Sequence, residues 1–249
     1  MNLIIQLLLI ATGFSAGLVM SALGATWGAI CMPALIVFGI DPIVAKGSTL
    51  TSEIGVAAIS SSIHKRFGYI RIELVLALLL GVVSAVIGSW TSSLISSQDL
   101  KFTIGIYEVI IGSTLLFKKS SSIIKDMKST RDLTIIIIIS FIAGFIKGFL
   151  GSGWGPIGVS LLILIGITAH EVIASAIVSR IAISSSSALM HIAMNVINWN
   201  YIALLTIGGV IGAIIGAFIM SKLESKLLSK IVGFVIVILG VLVLIKEFF

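Results

Sequence analysis

Charged side chains are the first thing this sequence has little of. Asp, Glu, Lys and Arg make up 10% of its 249 residues, where soluble domains carry about 25%. Hydrophobic residues account for 58% and the mean hydropathy is +1.25, more apolar surface than a soluble core of this size can hide. Cysteine is nearly absent too. Cys31 stands alone, which excludes an internal disulfide, and it lies in an apolar stretch as a small packing residue. Three histidines and one cysteine offer no convergent ligand set for a metal, and nothing calls for a cofactor. No Gly-x-x-x-x-Gly-Lys-Ser/Thr phosphate loop occurs, so an ATPase domain is not encoded here.

The apolar runs also lack the alternation of a membrane β-barrel, whose segments of about 10 residues switch polarity at each step. Leu133–Ile142 and Ile231–Ile245 are apolar throughout. Blocks of about 20 such residues cross a bilayer as helices. The net charge of +6 would suit nucleic acid on a soluble basic face. Here, however, the Lys and Arg residues stand between apolar blocks, as the positive-inside rule requires. Nucleic acid is excluded as a partner; the lipid bilayer, as a multi-pass inner-membrane location, is expected.

What is present is an internal repeat. Phe14-Ser15-Ala16-Gly17 matches Phe141-Ile142-Ala143-Gly144 at an offset of 127, and Trp27-Gly28 matches Trp154-Gly155. Ser48, Ser52 and His64 then meet Ser175, Ser179 and His191. After one inserted residue the offset is 128, and Gly81, Gly88, Gly105 and Gly112 meet Gly209, Gly216, Gly233 and Gly240. Leu3–Leu23 could be mistaken for a signal peptide, but it belongs to the first copy. The expected units are a first transmembrane repeat, 1–117, a cytoplasmic linker, 118–132, and a second repeat, 133–249.

Each half divides into five apolar pieces, which in the first are Leu3–Leu23, Ala29–Ile40, Ile43–Ile63, Ile72–Ile95 and Phe102–Phe117. The second piece is too short to span. It follows the glycine-rich break Gly24-Ala25-Thr26-Trp27-Gly28, whose counterpart is Gly151-Ser152-Gly153-Trp154-Gly155. Pieces one and two form either a hairpin that enters and returns, or a long helix plus a half-helix. If the hairpin returns, one side of the membrane collects eleven Lys and Arg residues against Lys46, Lys101 and Lys246 on the other; the alternative parity gives nine against five. The expectation is therefore an all-α integral membrane protein of two inverted-topology repeats. Each is a glycine-broken, re-entrant-like hairpin plus three transmembrane helices, and both termini lie outside.

Glycine-interrupted helices at matching places in two inverted repeats point to a midplane solute site. A broken helix presents free N–H groups and a positive dipole end to an anion. Gly24, Ala25, Thr26, Trp27 and Gly28, with Gly151, Ser152, Gly153, Trp154 and Gly155, are the candidates; packing glycines and interfacial tryptophans are the bland reading. Glu53 lies about ten residues into the third piece, and Arg180 occupies the equivalent place in the other half. Charge at that depth is costly and functional by default. Arg180 offers an oxyanion a planar fork of donors, and protonation of Glu53 would release it and couple the anion to protons; a structural ion pair is the alternative. Lys147 would add positive field or snorkel to the headgroups. Ser48, Ser52, Ser175 and Ser179 share the faces of Glu53 and Arg180, where hydroxyls either line a path or join helices. His64 and His191 end their spans as polar caps, with a ligand or proton-relay role as the alternative.

At these residues the chain resembles the TauE/SafE family of sulfite and organosulfonate exporters, also called the 4-toluene-sulfonate uptake permeases. The resemblance covers nearly the whole chain. It rests on Phe-x-Ala-Gly before a glycine-rich break in each half, on Gly47-Ser48-Thr49-Leu50, and on the glycine-spaced terminal helices. The family's usual break is richer in glycine; Trp27 and Trp154 take one of those places. The resemblance implies a secondary transporter, not an enzyme, exporting a small sulfur-containing anion such as sulfite or an organosulfonate by alternating access. The partners expected are that anion, the bilayer and, as an open alternative, a second copy in a homodimer. A cation or metal permease and a non-transport membrane subunit are the competing readings.

Overall fold

The computed structural model describes residues 3–24, 27–117, 130–165, 167–220 and 225–248. The expected linker therefore lies almost entirely outside the described residues. The remainder is helical: α1 (Leu3–Leu23), α2 (Trp27–Val37), α3 (Pro42–Arg66), α4 (Ile72–Leu78), α5 (Gly81–Ser93) and α6 (Ser97–Phe117) precede the linker. After it come α7 (Thr130–Leu150), a π-helical turn (Trp154–Val159), α8 (Ser160–Leu164), α9 (Ala169–Ala193), α10 (Trp199–Met220) and α11 (Ser225–Phe248). Among the described residues, five helical stretches are long and apolar enough to cross a bilayer.

Helix α1, at 21 residues, is about 31 Å long at 1.5 Å per residue, a full span. Helix α2 has 11 residues, about 16 Å by the same rise, and packs back on α1. Asp41 stops the chain after α2 and starts α3: its carboxylate accepts from the Ile43 and Val44 amides at 2.9 and 3.4 Å, and Pro42 fits the first helical position. One expectation needs correction here. Lys46, counted with Lys101 and Lys246 on one side of the membrane, is fully buried one turn into α3, where Asp41-Pro42 starts the helix.

Packing partners are exchanged between the halves. Helix α1 packs on α10 and α7 on α5, while α3 meets α9 and α6 meets α11. Small residues make the closest approaches. A Cβ on Gly17 would strike the Gly209 carbonyl, and one on Gly144 would strike that of Gly81; the two contacts are equivalent under the repeat. Helices α3 and α9 run antiparallel. Tyr69, just after α3, lies against His170 at the start of α9, with ring centroids 5.0 Å apart.

The fourth piece, expected to be continuous, breaks at Leu79–Leu80. The cause comes from another helix. Ser140 of α7 accepts from the Gly81 amide at 3.1 Å and donates to the Leu78 carbonyl at 2.8 Å, inserting a hydroxyl into the backbone ladder. Its counterpart, Gly13, has no hydroxyl to insert, and α10 runs unbroken.

Candidate functional site

Both interruptions of the repeat meet near the centre of the bundle. Helix α1 ends at Gly24 with φ +69°, and α7 at Gly151 with φ +74°, left-handed values that glycine adopts without strain. Each carries one last helical bond, from Gly24 N to Met20 O at 2.7 Å and from Gly151 N to Lys147 O at 2.8 Å. Gly153 also takes a positive φ, +131°. Ala25 and Thr26 lie outside the described residues. A Cβ on Gly28 would strike the Gly151 carbonyl, so the two breaks touch. Gly151, Ser152, Gly153 and Gly155 are buried, and in this conformation the junction is closed.

Trp27 and Trp154 are fixed inside the protein. Trp27 Nε1 donates to the Thr49 carbonyl at 3.0 Å and Trp154 Nε1 to that of Ala176 at 3.2 Å; both acceptors and both donors are pairs under the 127 offset. The rings rest on Gly209 and Gly81 respectively. Each tryptophan thus ties its half-helix to the third piece of its own half and to the fourth of the other. Ser48 and Ser175 make a similarly exchanged contact. The Asn198 amide donates to Ser48 Oγ at 3.1 Å and the Arg71 amide to Ser175 Oγ at 3.0 Å. Ser52 Oγ donates to Thr49 O at 2.9 Å and Ser179 Oγ to Ser175 O at 2.9 Å.

The charged residues do come together. Glu53 and Arg180 stand at equivalent positions of α3 and α9 and bond to each other, Arg180 Nη1 to Glu53 Oε1 at 3.3 Å. Lys147 Nζ donates to the other carboxylate oxygen, Oε2, which also accepts from Ser184 Oγ at 2.8 Å. Arg180 Nη2 donates to the carbonyl of Gly24, at the first break, while its Nε has no partner. Lys147 points inward to this cluster and not to the headgroups. Glu53, Lys147 and Arg180 are 0%, 2% and 1% exposed, so two cations share one anion where water does not screen them. A buried ion group of this kind is poor evidence for stability. Its surplus positive charge is chemically suited to a negative solute.

Lys46 is the residue that the sequence pattern hid. Its Nζ donates to Ser92 Oγ, no carboxylate among the described residues lies within ion-pair distance of it, and its stem lies against Gly151. Its counterpart in α9 is Ile173, which lies against Gly24. Nothing in the periodicity distinguishes a lysine one turn into a helix from a flanking charge. His64 and His191 are buried caps: His64 Nε2 lies 3.0 Å from Ser21 O and His191 Nδ1 2.7 Å from Ser187 O. Among the described residues no group of three His, Cys, Asp or Glu side chains converges.

With this geometry, residues 9–243 match the profile of the sulfite exporter TauE/SafE family. The chain belongs to the TauE/SafE family. A probable membrane transporter protein of Bacillus subtilis (strain 168), YtnM, is 27% identical over 209 residues, covering 80% of this chain and 69% of the relative. A second from the same organism, the probable membrane transporter protein YunE, is 24% identical over 227 residues, covering 81% of this chain and 83% of the relative. As a TauE/SafE member with five apolar spans among its described residues, the chain is a multi-pass membrane transporter and not an enzyme.

Proposed function

We propose that the chain carries a small sulfur oxyanion, sulfite or a short organosulfonate, out across the cytoplasmic membrane. The observation that carries this reading is the buried cluster in which Lys147 and Arg180 share the single carboxylate of Glu53, with Lys46, bonded to Ser92 and to no carboxylate among the described residues, beside the second break. An anion resting there neutralises charge that the protein leaves uncompensated. The ligand contacts fall to Arg180, Lys147 and Lys46, with the backbone of Gly24 and of Gly151–Gly153. Trp27, Trp154, Ser48, Ser52, Ser175 and Ser179 hold the surrounding helices. The family name supports the sulfur chemistry and the outward direction.

The exchanged packing and the antiparallel α3 and α9 support a second part of the reading, that the two halves are inverted repeats moving by alternating access. The closed junction of the two breaks is then one state of the cycle, and entry requires them to part. Glu53 is the resident counter-ion: an arriving anion competes with it for Arg180 and Lys147, so that binding loosens the contact between α3 and α9.

The test is counterflow in proteoliposomes of the purified chain. Labelled sulfite should exchange against internal sulfite, and taurine, sulfoacetate, thiosulfate and sulfate rank the substrate class by competition. Absence of flux for every sulfur anion, from protein that elutes as a single folded species, overturns the reading.

A further inference from the structure

Helix α6 carries a carboxyl group that the anion site does not use. Glu108 is fully buried, and neither of its oxygens has a hydrogen-bond partner. Beside it are the Tyr107 hydroxyl and Ser152 of the second break, both buried polar atoms without partners. The Tyr107 hydroxyl stands against Gly153. Glu53, by contrast, holds three donors.

Among the described residues, the charged and titratable groups on the packed neighbours leave Glu108 alone. Helix α3 brings Lys46, which bonds Ser92, and Glu53, which bonds Lys147 of α7 and Arg180 of α9; His64, Lys65 and Arg66 close its far end. Helix α2 brings only the thiol of Cys31. The part of α11 whose side chains are described, Phe234–Ile245, has no titratable residue. Glu108 forms no ion pair with any of these.

Packing does not require a carboxyl there. The equivalent position on α11 is Ile236, fully buried, and the equivalents of Tyr107 and Ser152 are Val235 and Ala25. The polar trio belongs to one half only: at the position of Glu108 the other half buries an isoleucine. A lone ionised carboxylate in such surroundings is strongly disfavoured, whereas a carboxylic acid is tolerated and can donate to a neighbouring oxygen. One carboxyl with two hydroxyls is also too few oxygens for a hard metal cation, which takes six or more.

We propose that Glu108, with Tyr107 and Ser152, is the binding site of a proton that moves in the same cycle as the anion. In the closed state Glu108 is the neutral acid. When the breaks part, water reaches Ser152 and Glu108, the O–H bond breaks, and the proton leaves as hydronium while the carboxylate remains; the return to the closed state needs a proton from the opposite side. Ser152 belongs to the break and neighbours Glu108, so it links the two sites. This inference rests on the anion reading only for its cargo.

Two measurements test it. Infrared spectra of purified wild-type protein should show a protonated carboxyl C=O band that shifts in heavy water, disappears in Glu108→Gln, persists in Glu53→Gln and moves in frequency in Tyr107→Phe. In proteoliposomes with the voltage clamped, a pH gradient should drive labelled sulfite accumulation at least tenfold above equilibration. Glu108→Gln should lose this drive, with residual exchange no longer responding to pH, and Glu108→Asp should regain part of it. A band unchanged in folded Glu108→Gln, or undiminished gradient-driven accumulation by that variant, overturns the proposal. If wild type moves no sulfur anion, the anion reading fails while the infrared result still decides whether Glu108 holds a proton.

Discussion

Glu53 and Arg180 are each other's counterparts under the internal repeat, and they are bonded to each other, Arg180 Nη1 to Glu53 Oε1 at 3.3 Å. In the inverted-repeat arrangement proposed above, equivalent positions touch only where they straddle the two-fold axis. Opposite charges at that point break the symmetry of the halves at the place where they meet.

Arg180→Ala should abolish sulfite binding, with at least a hundredfold rise in Kd by calorimetry. It removes one of two cations from Glu53, and losing a partner of a buried ion group costs about 3–5 kcal/mol when no other remains. With Lys147 still in place, the loss should fall below that range. The pair variant Glu53→Gln with Arg180→Gln should recover stability and not binding. Undiminished affinity in folded Arg180→Ala would remove the guanidinium from the site.

Lys46→Met separates anion binding from folding in the other direction. Lys46 has no carboxylate partner among the described residues, so replacing its ammonium with an apolar end should hold or raise the melting temperature. Affinity for the anion should nevertheless fall at least tenfold. A melting temperature that drops with affinity unchanged would make Lys46 a structural group.

Trp27→Phe and Trp154→Phe should cost similar amounts, about 0.5–1.5 kcal/mol each for the lost indole hydrogen bond, because the two contacts are copies. Unequal losses measured by thermal unfolding in detergent would show that the two half-helices are not braced alike.

Gly68 and Asn195 are equivalent loop residues, both exposed and both with positive φ, +73° and +54°. If the repeats are inverted, Gly68→Cys reacts with a membrane-impermeant thiol reagent only from the cytoplasm and Asn195→Cys only from outside. The native Cys31 is fully buried and gives little background. Labelling of both from one side would mean parallel repeats.

Much of this architecture could be read from glycine, tryptophan and serine positions, because a duplicated helix contact leaves matched residues at a fixed offset. Trp27 and Trp154 announced themselves in that way, and so did Glu53 with Arg180. The kink at Leu79–Leu80 did not, since its cause is the Ser140 hydroxyl arriving from a helix some 60 positions along the chain. Lys46 was obscured for a related reason: its depth depends on where Asp41 starts α3 and on which helices then cover the first turns. Residues whose meaning lies in their own pattern were legible; those whose meaning comes from a distant neighbour were not.

The exchange of partners between halves bears on how the protein is made. Helix α1 ends at Leu23 and the helix it packs against, α10, begins at Trp199. At ribosomal speeds of about 5–20 residues per second, the first helix waits about 10–35 s for its mate. During that interval its glycine-lined face is open to lipid, to insertion machinery or to another nascent chain. The α1 contact therefore closes late, after α5 with α7 and α3 with α9 can already have met, and a truncated chain lacking the last two helices would leave the first without its seat.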